Sequence, residues 1–193
     1  MLFIIFRFLS FLAIKLIFPI EVYGLENIPK TGGFILASNH ASYLDPVVLG
    51  AMCPRYMHFM ARHDLFGNPL SSWFLSQLNA FPVRRNSADI SALKKAIRLV
   101  KKGEGLLLFP EGSRQVEGIS FNPQSGIGFL AVKINAPVIP ALIRGTELAM
   151  PKGSKGIRRV KISVYFGKQI PIERSMPYHD IALQIMENIR HLS

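Results

Sequence analysis

The chain has 193 residues with 23 Lys+Arg against 12 Asp+Glu, a formal charge of +11, and 49% hydrophobic against 18% charged residues. Its hydrophobicity excludes a disordered chain, its length suits one domain with a real core, and the single Cys53 excludes a disulfide framework or a Cys-based zinc site. Cation excess joined to apolar excess points to a negatively charged membrane surface before it points to nucleic acid.

Residues 1–20, MLFIIFRFLSFLAIKLIFPI, form an apolar run broken only by Arg7, Ser10, Lys15 and Pro19. On a helix, Arg7, Ser10 and Lys15 fall in one polar stripe, which fits an interfacial helix whose two cations snorkel to the headgroups. A spanning helix, which needs about 20 apolar residues, and a buried core helix stay open as alternatives. No cationic stretch precedes the run and no small-residue cleavage site follows it, so it is not a signal peptide. Residues 1–19 are therefore expected to be a membrane-associating helix and residues 20–193 a single domain.

Beyond Pro19, strands are expected at Ile20–Tyr23, Phe34–Ser38, Met57–Ala61, Ala80–Val83, Gly105–Phe109, Val138–Ile143 and Arg159–Phe166. In the last of these, Val160, Ile162, Val164 and Phe166 face one way and Arg159, Lys161, Ser163 and Tyr165 the other. Helices are expected at Pro46–Met52, Pro69–Leu78, Ala88–Lys102, Ile127–Ile134 and Pro177–His191. The coarse pattern is alternation of strands and helices with short joints, which predicts an α/β fold: a mixed, largely parallel central sheet flanked by helices. In Ala88–Lys102, Ile90, Leu93, Ile97 and Val100 are the expected buried stripe. Lys94, Lys95, Arg98, Lys101 and Lys102 then lie outside as a solvated face or a contact with anionic lipid.

Ligands of such sheets bind beyond the carboxyl ends of strands, so the loops there carry the chemistry. After Phe34–Ser38 come His40 and, five residues on, Asp45. An imidazole can take a proton from an attacking hydroxyl, and a carboxylate on its second nitrogen would hold the tautomer and the imidazolium. Asp45 followed by Pro46 reads equally as a helix N-cap with proline in the first turn. After Gly105–Phe109, Glu111, Gly112, Ser113 and Arg114 offer backbone access and a guanidinium for phosphate. Arg84-Arg85, Arg62-His63-Asp64 and Arg144-Gly145-Thr146 follow three further strands, and together could make an electropositive pocket beside His40. His58, His63, His179 and His191 lack metal-ligand spacing, and no P-loop, nucleophile elbow or dinucleotide fingerprint occurs.

Taken together, four blocks are identifiable in order. Ser38-Asn39-His40-Ala41-Ser42-Tyr43-Leu44-Asp45-Pro46 resembles the HX4D motif of the glycerolipid acyltransferases. Phe81-Pro82-Val83-Arg84-Arg85, Phe109-Pro110-Glu111-Gly112-Ser113-Arg114 and Val138-Ile139-Pro140 resemble the family's second, third and fourth blocks, and the likeness covers roughly residues 20–170. The nearest branch is that of bacterial 1-acylglycerol-3-phosphate acyltransferases. The sequence departs from the family where lysine is frequent, with Arg62-His63 in one place and Gln124-Ser125-Gly126 in another.

The resemblance implies direct acyl transfer, with His40 as general base and Asp45 orienting it. Arg62, Arg85, Glu111, Gly112, Ser113 and Arg114 would bind the phosphoglycerol acceptor. It implies no metal or cofactor; the acyl donor is a thioester substrate, acyl-CoA or acyl-carrier protein. The other partners would be a lysophospholipid acceptor and an anionic membrane surface, at the cytoplasmic face of the cell inner membrane, with no nucleic acid. A different lysophospholipid, a lyso-amino-acid lipid or glycerol-3-phosphate stays open as the acceptor. A non-catalytic basic membrane-binding protein is the contrasting class, and it leaves His40, Asp45 and Glu111 unexplained.

Overall fold

The computed structural model describes residues 2–84, 89–114, 123–151, 153–154 and 156–192. The strands are β1 (Ile20–Tyr23), β2 (Phe34–Ser38), β3 (Met57–Arg62), β4 (Ala80–Val83), β5 (Gly105–Leu108), β6 (Val138–Arg144) and β7 (Ile162–Phe166). The α-helices are α1 (Leu2–Ile17), α2 (Asp45–Met52), α3 (Pro69–Gln77), α4 (Ile90–Lys101), α5 (Ser125–Ile134), α6 (Thr146–Ala149) and α7 (Tyr178–Arg190). One sheet orders the strands β1-β7-β6-β2-β5-β3-β4, parallel at every pairing except the antiparallel β6–β7. The mixed, largely parallel α/β sheet expected from the sequence is therefore present. It brings the carboxyl ends of β2, β3, β4, β5 and β6 to a single edge.

Alternation along the strands divides the core in two. Ile35 and Ala37 of β2 pack with α4, α5 and α7, while Phe34 and Leu36 pack with α1 and α2 on the other face. Both faces of the central strands are covered, which is why β2 and β5 read as continuous apolar runs.

Several local expectations change. The buried stripe of α4 is Ala92, Ala96 and Val100, with Leu93 and Ile97 at its margin and Ile90 61% exposed. The end of this helix approaches the entry to β2 closely, where Gly33 makes room: a Cβ there would lie 1.9 Å from the Val100 carbonyl oxygen. Phe109 lies beyond β5, Arg159–Lys161 lie before β7, and the short α6 was not expected from the sequence.

α1 differs most. One member of its polar stripe turns inward: Arg7 Nε donates to the Gly50 carbonyl (3.1 Å), its Nη2 to the Cys53 carbonyl, and the guanidinium lies 5.1 Å from the Tyr56 ring centroid. The expectation that Arg7 snorkels to lipid is thus overturned, because the unpaired carbonyls ending α2 offer a cation better partners within the protein. Lys15 is exposed and stays on the outside. Ile14 and Phe18 are buried, and Phe6 packs edge-on against Trp73 and Phe74 of α3. Ile4, Ile5, Phe8, Leu9, Leu12 and Leu16 remain exposed as one apolar arc. At 16 residues α1 is short, and among the described residues no helix is long and apolar enough to cross a membrane.

The contact between α5 and α7 depends on Gly128, where a Cβ would sit 1.9 Å from the Tyr178 carbonyl oxygen; at Gly126 it would meet nothing within 4 Å. Gly128→Ala is expected to lose ~1–3 kcal/mol through overpacking. Gly126→Ala in the same helix is expected to gain ~0.4–1 kcal/mol through a less flexible unfolded chain. Urea unfolding of the two variants checks the opposite signs.

Candidate active site

β2 ends where Asn39 replaces backbone pairing with its side chain. Its Nδ2 donates to the Ile143 carbonyl and its Oδ1 accepts from the Ile143 N–H, both at 2.9 Å. The amide thus acts as one more rung between β2 and β6 and frees the main chain to turn into the His40 loop.

In that loop, His40 Nδ1 lies 2.9 Å from Asp45 Oδ2. Asp45 is completely buried, and the His40 side chain is 16% exposed. The same Oδ2 accepts the backbone N–H groups of Ala41 (2.7 Å) and Ser42 (2.8 Å), and Oδ1 accepts the Thr146 hydroxyl. Asp45 is the first residue of α2 and its carboxylate turns back to the preceding loop, while Leu44 occupies the N-cap position without a side-chain bond. Capping is thus not what this carboxylate does, although the start of α2 still favours its negative charge. A carboxylate can only accept, so Nδ1 carries the proton and Nε2 holds the lone pair.

Two residues of the β5 loop fix the imidazole. Phe109 stacks on it with centroids 4.1 Å apart and planes 18° from parallel. The buried Glu111 accepts the His40 backbone N–H on Oε2 at 2.9 Å. Glu111, expected at the acceptor, thus also holds the backbone of His40. Gly112 closes the turn through its N–H to the Phe109 carbonyl (3.0 Å) at φ +66°, a left-handed conformation that suits glycine. Ser113 follows, half-buried. The Arg114 guanidinium lies 3.5 Å from the centroid of the Tyr43 ring, so the third block is joined to the His40 loop by a cation–π contact.

The other expected residues are less closely gathered. Arg62, at the end of β3, pairs with Asp64, whose hydrogen bond and charge raise the arginine's pKa. Its cation is exposed and already has an acidic neighbour. Arg85 lies outside the described residues. Sequence reasoning missed Phe109 as a ring partner, Tyr43 as a support for Arg114, and Thr146 as a ligand of Asp45. Their only signals were their places inside, or just after, strand-end segments.

The arrangement is two buried carboxylates, Asp45 on the imidazole and Glu111 on its backbone, one oriented imidazole and one guanidinium, a set suited to deprotonating a hydroxyl beside an anionic group. The sequence profile of the Acyltransferase family matches residues 19–144. A 1-acyl-sn-glycerol-3-phosphate acyltransferase of Bacillus subtilis is 32% identical over 152 residues, 78% of this chain and 73% of that protein. A chloroplastic one of Brassica napus is 34% identical over 140 residues, 71% of this chain but only 40% of the plant protein. The fold is similar to that of the 1-acyl-sn-glycerophosphate (LPA) acyltransferase of Thermotoga maritima, with a TM-score of 0.80 and 25% identity over 97% of this chain and 77% of that one. With the family profile spanning well over half of its length, this chain belongs to the acyltransferase family.

Proposed function

We propose that this protein transfers a fatty acyl chain from a thioester to the free hydroxyl of 1-acylglycerol-3-phosphate, forming phosphatidic acid for phospholipid synthesis. The observation that carries this reading is the His40–Asp45 pair at 2.9 Å, held on the loop that also carries Tyr43 and, through it, Arg114. Nε2 of His40 takes the proton of the acceptor hydroxyl as its oxygen attacks the thioester carbonyl carbon. Asp45 steadies the imidazolium that forms. Collapse of the tetrahedral adduct breaks the C–S bond, and the leaving thiolate takes the proton back from His40. The acceptor phosphate is assigned to Arg114, with Arg62 and Arg85 as further cations for it. The donor thiol is that of CoA or of acyl-carrier protein, and no metal or bound cofactor enters a step.

The apolar arc of α1 supports a place in one leaflet, at the cytoplasmic face of the inner membrane. Six large hydrophobic side chains on one helix face are far more than a soluble surface ordinarily exposes together. α4 lies on the opposite face of the sheet from α1. A flat bilayer that receives α1 therefore leaves the Lys94, Lys95 and Arg98 face toward solvent.

Three measurements follow. His40→Ala is expected to lower acyl transfer from acyl-CoA to lysophosphatidic acid by at least ~10²-fold, the lower end of general-base contributions; retention within a few-fold would remove His40 as the base. Tyr43→Leu leaves Arg114 unsupported, and is expected to raise KM for the phosphate acceptor several-fold with a smaller change in kcat. The double variant Phe8→Glu, Leu16→Glu should pellet less with vesicles of phosphatidylglycerol while keeping its activity on detergent-dispersed substrate. Unchanged pelleting would exclude α1 as the anchor.

A further inference from the structure

We infer that Thr146 is a positioning residue of the reaction, acting on His40 through Asp45; this inference depends on the acyl-transfer reading. Three donors converge on Asp45 Oδ2, namely His40 Nδ1 and the N–H groups of Ala41 and Ser42. Oδ1 receives the Thr146 hydroxyl, and both side chains are fully buried. A carboxylate whose second oxygen lacks a donor in so dry a place has reason to rotate or to shift, and any rotation takes Oδ2 off the line to Nδ1. The threonine hydroxyl holds the plane of the carboxylate and, with it, the plane of the imidazole.

The threonine is itself held firmly. Gly145 precedes it at φ +93°, where a Cβ would lie 2.1 Å from the Lys161 carbonyl oxygen. The Gly145 N–H donates to both carboxylate oxygens of Glu147, at 2.9 and 3.1 Å. Four residues on, the Met150 carbonyl accepts the Ser42 hydroxyl (3.0 Å), which in turn accepts the Leu44 N–H (3.2 Å). The exit from β6 therefore grips the His40 loop at two points: Thr146 bonds the Asp45 carboxylate directly, and Met150 holds the hydroxyl of Ser42, whose N–H is on Asp45.

Thr146→Val keeps the shape and removes the hydroxyl, whereas Thr146→Ser keeps the hydroxyl. In acyl transfer from acyl-CoA to lysophosphatidic acid, Thr146→Val is expected to lower kcat about tenfold or more while KM for the acceptor stays within about twofold. Thr146→Ser should remain within about threefold of the parent. In an Asp45→Ala background, Thr146→Val should cause less than a twofold further loss, because its route to His40 is gone. If the valine variant does not fold, Thr146→Ser against Thr146→Ala isolates the hydroxyl at constant loss of the methyl group, with the same expected ratio. An undiminished kcat in Thr146→Val, or the same loss with and without Asp45, overturns the inference. An inactive parent protein would instead overturn the acyl-transfer reading itself.

Discussion

The His40 loop is organised around the buried Asp45 carboxylate. The Asp45 carboxylate gathers an imidazole, two backbone N–H groups and a hydroxyl, and so ties β2, α2 and the exit of β6 to one point. An isolated charge in such a place would be very costly, and four donors are what make it tolerable. The same arrangement leaves the imidazole a single orientation. Stability of the loop and readiness of the base are consequences of the same hydrogen bonds.

A second constraint operates at the far end of α2. Its closing carbonyls are met by the Arg7 guanidinium from α1, so the helix that starts with the Asp45 carboxylate ends on the N-terminal helix. α1 thereby presents Arg7 and the buried Ile14 to the protein and leaves an apolar arc outward, with Lys15 also exposed. In the proposed function this places the lipid-facing surface on the same side of the sheet as α2. The polar site and the apolar arc are mechanically linked through one short helix, which suits an acceptor whose reacting hydroxyl lies near its headgroup and whose chain lies in lipid.

Much of the architecture was legible because its signals are local. The apolar runs of β2 and β5, the alternation of β7 and the Gly and Pro punctuation between elements are all read within windows of a few residues. The buried stripe of α4 is poorly legible because alanine has little hydrophobic signal, so Ala92 and Ala96 are masked by the larger Ile90 and Leu93 beside them. Glu111 looked like an acceptor contact because a carboxylate after a strand faces the ligand edge. Its hydrogen bond to the backbone of His40, 71 positions away, has no local signal in the sequence.

By itself the sequence determined the strand–helix order, the spacing of His40 and Asp45 after the second strand, the four ordered blocks that resemble an acyltransferase, and the apolar character of the N-terminal segment. These are properties of composition and short spacing, which no distant residue alters. The tertiary structure alone decided that Asp45 turns back to His40 instead of capping α2, that Arg7 serves a helix end and not lipid, and that Thr146 completes the carboxylate's shell. Each of those outcomes pits partners that are equivalent in sequence against one another. Only the packed chain, by bringing residues as much as 101 positions apart within hydrogen-bond reach, selects among them.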